Sequence, residues 1–171
     1  MKAITFFAAI IFMFSVSTAC FGQLEMSKDK KGNIEFIENK PDFYTKRSKA
    51  MECVIEAMGS QGYDIESKQI SSALIGTVTQ VVSIEGDKDL GHITFKFVFS
   101  FRSGFAIFNF SHFKYKTEDS SFKSLGVLPL AYKGKIKKAF SESQYELLKT
   151  RINEQISAIF EAILQNCSKE N

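Results

Sequence analysis

The sequence predicts an α+β domain: an antiparallel β-sheet of about five strands, with two helices packed on one face, in the order β-α-β-β-β-β-α. Three observations lead there. From Gly91 to Lys116 the chain reads GHITFKFVFSFRSGFAIFNFSHFKYK, a phenylalanine-rich hairpin with period-two alternation. Further strand-like segments cluster just before it. Apolar stripes of helical spacing stand on either side of that cluster, which argues for helices gathered on one side of a sheet.

Ile34 to Glu38 alternates Ile34 and Phe36 against Glu35 and Ile37, a short first strand. Pro41-Asp42 is expected to open a helix, because proline loses no hydrogen bond in the first turn and aspartate complements the positive end of the dipole. Phe43, Arg47, Met51, Val54, Ile55 and Met58 supply its stripe, and Gly59 and Gly62 end it. Tyr63 to Ile70 alternates weakly and reads as a polar edge strand. Ala73 to Glu85 is a longer strand, with Leu74, Gly76, Val78, Val82 and Ile84 on one face and Gln80 as an exception.

The hairpin has two registers to choose from. If Phe101 faced Phe105, Phe97 would face Asn109 and Phe95 would face Ser111. If Ser103-Gly104 is a two-residue turn, Phe101 faces Ala106, Phe99 faces Phe108 and Phe97 faces Phe110. Only the second matches apolar with apolar, and a one-residue slip would send each ring to the wrong face. Beyond Phe110 the apolar residues change parity. One extra residue near Ser111-His112, a β-bulge, restores the pattern and sets Phe95 against Phe113 and Ile93 against Tyr115.

Glu118 to Lys138 has no regular period and is long for a loop. Its Leu125, Val127, Leu128, Leu130 and Tyr132 are too apolar to stay in water, so much of it should fold back on the core. Lys133, Lys135, Lys137 and Lys138 form a small basic cluster, read as a solvated loop or as a contact for anionic lipid or a partner. Ser141-Glu142-Ser143-Gln144 is a capping box, with Phe140 and Tyr145 placed as a hydrophobic staple. The stripe that follows is Tyr145, Leu148, Ile152, Ile156, Ile159, Phe160, Ile163 and Leu164. Ser141 to Asn166 would span roughly 38 Å at about 1.5 Å per residue, enough to cross such a sheet diagonally.

Met1-Lys2, the apolar run Ala3 to Val16 and the small residues Ser17-Thr18-Ala19-Cys20 read as a secretory signal peptide over 1–22, too short and wrongly flanked for a spanning helix. Two processing readings stay open. Cleavage after Gly22 would release the protein into the periplasm or medium. Ser17 to Cys20 also loosely resembles a lipobox, in which Cys20 is lipidated and anchors the protein to a membrane. Residues 23–33 are expected to form a flexible leader, 34–166 a single α+β domain, and 167–171 a tail.

The full chain of 171 residues carries 22 Lys and Arg against 19 Asp and Glu. Removing the one lysine of residues 1–22 leaves 21 against 19, no electrostatic footprint for nucleic acid. Cys53 and Cys167 both fall on expected helices. An oxidising compartment permits a disulfide between them if those helices are neighbours at the same height; the plainer reading is two small buried hydrophobes.

Motifs for chemistry are sparse. His92 and His112 share no Cys at metal-ligand spacing, and no glycine-rich phosphate loop follows a strand. Cys53 lies beside an apolar stripe, with Glu52 and Glu56 close by, which is no setting for a thiolate nucleophile. No catalytic, cofactor or metal residue is therefore expected. His112 at the bulge is the one side chain that could be aimed for a function.

The helix FYTKRSKAMECVIEAM, the strands DIESKQISSALIGTVTQ with Gly76 after an apolar pair, the hairpin GHITFKFVFSF…FAIFNFSHFKY and the closing helix together resemble the DUF4468 family, exported Bacteroidetes proteins with a TBP-like fold. The resemblance covers roughly Ile34 to Leu164. It implies a fold and an exported location; that family's function is itself unknown, and TBP in the fold's name concerns architecture, so no DNA binding follows. The expectation is a noncatalytic interaction module of the bacterial cell envelope. It would meet an unknown envelope or secreted protein through the polar sheet face or the 118–138 loop, by way of His112 or the four lysines. The alternative is a carrier of a small apolar or lipid-like ligand between the Phe-rich sheet and the helices. A third reading is a hydrolase using His112.

Overall fold

A computed structural model describes residues 24–44, 46–63, 68–70, 73–83, 90–102, 105–117 and 125–167. Among these described residues nine elements follow in order: β1 (Ser27–Lys28), β2 (Ile34–Lys40), α1 (Arg47–Ser60), β3 (Lys68–Ile70), β4 (Ala73–Ser83), β5 (Leu90–Arg102), β6 (Phe105–Thr117), α2 (Ile136–Ala139) and α3 (Glu142–Cys167). The strands form one antiparallel sheet in the order β1-β2-β6-β5-β4-β3. The expected β-α-β-β-β-β-α series is thus present, with the two-residue β1 added before it and the one-turn α2 before the last helix.

The β5–β6 register follows from side-chain volume on the core face. Phe101 pairs with Ala106, Phe99 with Phe108, Phe97 with Phe110 and Ile93 with Tyr115. The register shifts between Thr94, which pairs with Lys114, and Lys96, which pairs with Ser111. His112 and Phe113 therefore oppose the single residue Phe95, and His112 takes a left-handed φ of 58°. This is the bulge that the parity change requires, and it keeps Phe113 and Tyr115 on the buried side. The Ser103-Gly104 turn lies outside the described residues, while the Arg102–Phe105 pair that flanks it is in register.

The bulge also decides where the long loop goes. Pairing of β2 with β6 ends at Glu35–Ser111, and beyond it Leu128 lies between the two strands. Its N–H donates to the Phe113 carbonyl (2.7 Å), and its carbonyl accepts from the Ile34 N–H (3.0 Å). Leu128 is fully buried there, whereas Leu125, Leu130 and Tyr132 are half-buried against the core. An apolar stretch without its own periodicity thus serves as a short filler strand, its backbone groups satisfied by its neighbours.

Both long helices cover the phenylalanine face. The Phe160 ring of α3 meets Phe108 edge-on at 5.1 Å, and Phe43, just before α1, meets Phe108 at 5.3 Å and Phe99 at 6.1 Å. The buried residues of α3 are Tyr145, Leu148, Ile152, Ile156, Ile159, Phe160, Ile163 and Cys167. Its start is capped reciprocally: the Ser141 N–H donates to Gln144 Oε1 (2.9 Å), and the Gln144 N–H donates to Ser141 Oγ (3.2 Å). The Phe140 and Tyr145 rings close the staple at 6.1 Å.

Three expectations need correction. The first helix begins at Arg47 instead of Pro41. Pro41 and Asp42 form a turn in which Asp42 has a φ of 52°, a left-handed conformation that aspartate tolerates better than most side chains and that cannot propagate a helix. The helix stripe is correspondingly Ala50, Met51, Val54, Ala57 and Met58, while Arg47 and Ile55 face water. The stretch read as a leader carries structure from Leu24 onward: Leu24 is buried in the core and Ser27–Lys28 pairs with Glu35 and Ile34. The stretch read as a tail begins inside α3, whose last residue is Cys167. Asp64 to Ser67 and Ile84 to Asp89 lie outside the described residues, so those ends of the expected edge strand and long strand do too.

Candidate functional site

Alternation along each strand leaves a second sheet face that neither α1 nor α3 covers. Reading the pairings across it gives successive rows. Asn39, Ile107, Ser100 and Ala73 form the row nearest the β5–β6 turn, and Ile37, Asn109, Val98 and Ile75 form the next. Glu35, Ser111, Lys96 and Thr77 follow, then Lys114, Thr94 and Thr79, and finally Lys116, His92 and Val81. Ile107, Ile37, Val98 and Ile75 fall toward the β5–β6 turn and Lys96, Lys114 and Lys116 toward the bulge end, with Val81 in the row of Lys116 and Arg102 beside Phe105 at the turn.

Exposure confirms that this face is open. Ile37 is 46% exposed, Val81 54% and Phe105 52%, while the core phenylalanines of the same strands are buried. Ile37 carries a signal that simple parity supplies, since it follows the buried Phe36. Lys114 and Lys116 are exposed and Lys96 is half-exposed. Polar groups on the face satisfy one another: Asn109 Nδ2 donates to Glu35 Oε1 (2.8 Å), and the Thr79 and Thr94 hydroxyls lie 3.1 Å apart.

His112 is exposed at the bulge, its Nδ1 3.1 Å from the hydroxyl of buried Ser111. Nearby, Asp29 closes the turn between β1 and β2. It accepts from the Asn33 side chain (2.9 Å), the Asn33 N–H (2.9 Å) and the Lys31 N–H (2.8 Å). The Asn33 side chain holds its carboxyl below the usual range, with the Asn33 and Lys31 backbone amides and the His112 imidazole adding to the effect. Asp29 is thus occupied in shaping a turn, and the Ser111–His112 contact joins chain neighbours, with no third group among the described residues hydrogen-bonded to the imidazole. That falls short of a nucleophile–base arrangement. Among the described residues no three His, Cys, Asp or Glu side chains are placed to hold a metal ion.

The other residues singled out in the sequence do not belong to the strands of this face. Cys20 is outside the described residues. Lys133, Lys135, Lys137 and Lys138 are exposed on the turn and the short α2 that lead into α3, where Lys137 Nζ sits 5.5 Å from the Tyr132 ring centre. Cys53 and Cys167 form a disulfide, with Cα atoms 5.7 Å apart and 114 residues between them. The plainer reading of two separate thiols gives way because α1 and α3 pack side by side over the sheet and bring the two positions level. A groove of about 400 Å³ beside the disulfide is lined by Lys49, Glu52, Glu56, Ser60 and Asn166, a mixed-charge helix surface.

An antiparallel sheet with its helices on one side and its other face open defines an α+β protein of TBP-like architecture. Among solved structures the chain is similar to a TBP-like protein from Parabacteroides distasonis ATCC 8503, with a TM-score of 0.58 and 13% identity over 79% of this chain and 95% of that one. It is also similar to a DUF4468 family protein from Bacteroides ovatus ATCC 8483, with a TM-score of 0.48 and 8% identity over 83% and 85% of the two chains. The first of these shows the fold, the TBP-like architecture to which the sequence resemblance pointed. No protein-family model and no curated protein matches the chain.

Proposed function

We propose that this protein is a noncatalytic interaction module, exported to the cell envelope or beyond, that docks another protein on its open sheet face. The observation that carries the reading is the uncovered face itself, with Ile37, Val81 and Phe105 each about half exposed on one continuous antiparallel sheet. Export is supported by the signal-like residues 1–22 and by the Cys53–Cys167 disulfide, a bond that persists in oxidising compartments. The carrier reading draws no comparable support. Phe95, Phe97, Phe99, Phe108 and Phe110 are buried against one another with ring centres 5.0–6.2 Å apart, so they occupy the space a ligand would need.

Carbene footprinting tests this, comparing the purified mature protein with the same protein inside intact cells of its native host. Protection of Ile37, Val81 and Phe105 in the cell is the expected result. An unprotected outer face, or protection confined to 125–138, would move the docking site away from the sheet. Intact mass of the exported protein decides between cleavage after Gly22 and an acyl chain on Cys20.

A further inference from the structure

The open face has a chemical polarity that specifies what it can recognise. Lys96, Lys114 and Lys116 stand at its bulge end, and Arg102 adds an exposed cation beside Phe105. Among the described strand residues of this face Glu35 is the single acid, and it accepts a hydrogen bond from Asn109. Asp29, at the rim, is engaged by Asn33 and Lys31. No ion pair among the described residues involves Lys96, Lys114 or Lys116, in contrast to Lys40, Lys149 and Arg151, which pair with Glu38, Glu146 and Glu154. Next to these cations lie the rows that hold Ile37, Val98, Ile75 and Ile107.

We propose that the face binds an acidic protein segment that also carries aliphatic side chains, its carboxylates on Lys96, Lys114 and Lys116 and its apolar residues on the Ile37–Val98–Ile75 row. The inference rests on the docking face proposed above and specifies its partner. Charge complementarity selects the acidic half, since three ammonium groups that make no ion pair among the described residues stand on one sheet face, where they attract carboxylates and repel basic partners. The aliphatic half selects protein over a simple polyanion. A nucleic-acid duplex or an anionic polysaccharide would satisfy the lysines but leave Ile37 and Phe105 against polar groups.

The test uses the mature protein and defined, fluorescently labelled probes read by anisotropy: a twelve-residue peptide of glutamate and leucine, an all-glutamate peptide, a lysine–leucine peptide, a DNA duplex and phosphatidylglycerol vesicles. The glutamate–leucine peptide should bind best and weaken as salt is raised. It should lose about tenfold or more in affinity in Lys96→Glu/Lys114→Glu/Lys116→Glu, and also in Ile37→Ser. Equal binding of the all-glutamate peptide, DNA or vesicles, indifferent to Ile37→Ser, would overturn the proposal in favour of generic anion attraction. So would binding of the lysine–leucine peptide. Should the triple reversal unfold the protein, Lys96→Gln/Lys114→Gln/Lys116→Gln replaces it; a loss of thermal stability there too would mean that the chain's own acids hold these lysines, which also overturns the proposal. If the outer face is protected in cells but no acidic probe binds, the partner chemistry is wrong and the docking face stands. If that face is not protected at all, the docking reading itself fails.

Discussion

Phe95 and Phe113 stack across the β6 bulge, their ring centres 5.3 Å apart and their planes 29° from parallel. They meet because His112 absorbs one extra residue in a left-handed turn of the backbone. Without it Phe113 and Tyr115 would point to the solvent face. Deleting His112, by contrast, removes the extra residue and leaves Phe110, Ser111, Phe113, Lys114 and Tyr115 in plain alternation, so both rings should stay buried and the cooperative unfolding transition should persist. Point substitutions read the backbone alone. His112→Val should cost about 1–2 kcal/mol, the left-handed penalty of a β-branched residue, and His112→Gly should be more stable than His112→Val in urea titrations. Equal stabilities would mean that the bulge is not held in this conformation.

The Cys53–Cys167 bond closes a long loop and ties α1 to the end of α3. Cys53→Ser/Cys167→Ser should lower stability by roughly 2–5 kcal/mol, and dithiothreitol should lower the Tm of the native protein toward that of the double variant. An unchanged Tm under reducing conditions would show that helix packing alone sets the height of the two helices.

Gly91 lies under the ring of Tyr115, and a Cβ at that position would overlap the ring atoms. Gly91→Ala should destabilise by roughly 1–3 kcal/mol, because Tyr115 is buried and also packs against Phe140 at 5.5 Å. In the Tyr115→Ala background the same substitution should cost much less. Additive effects in this double-mutant cycle would refute the overlap.

The α3 cap predicts a smaller effect. Ser141→Ala removes the acceptor of the Gln144 N–H and should cost about 0.5–2 kcal/mol, and Ser141→Asp should restore most of it.

Burial, and secondarily the Glu146 carboxylate, raise the Tyr145 hydroxyl above the ordinary tyrosine range, and the hydroxyl donates to the Pro129 carbonyl. The unfolded state then gives up this proton first. Its contribution to stability is complete below about pH 10 and is lost as pH rises beyond that toward the folded value. Denaturation midpoints measured from pH 9 upward should fall less steeply for Tyr145→Phe than for the native protein, although Tyr145→Phe is the less stable of the two at neutral pH. Parallel slopes would mean that the buried hydroxyl does not govern the alkaline limb.

Local patterns of one period were enough to determine the hairpin register, the bulge beside His112, the Ser141–Gln144 cap and the stripe of α3, because each depends on residues a few positions apart or directly opposite. The sequence also showed that Leu128 and its neighbours would not stay in water. Only the folded chain decided the slot that Leu128 fills, the burial of Leu24, the late start of α1 after the Asp42 turn and the meeting of Cys53 with Cys167. Those features come from partners far away in the chain, brought together by sheet order and helix packing. The outer face is shared between the two: β6 alone runs from Phe105 and Ile107 to Lys114 and Lys116, but only the sheet order sets Ile37, Ile75, Val98 and Lys96 beside it, because β2, β4 and β5 must first lie in register.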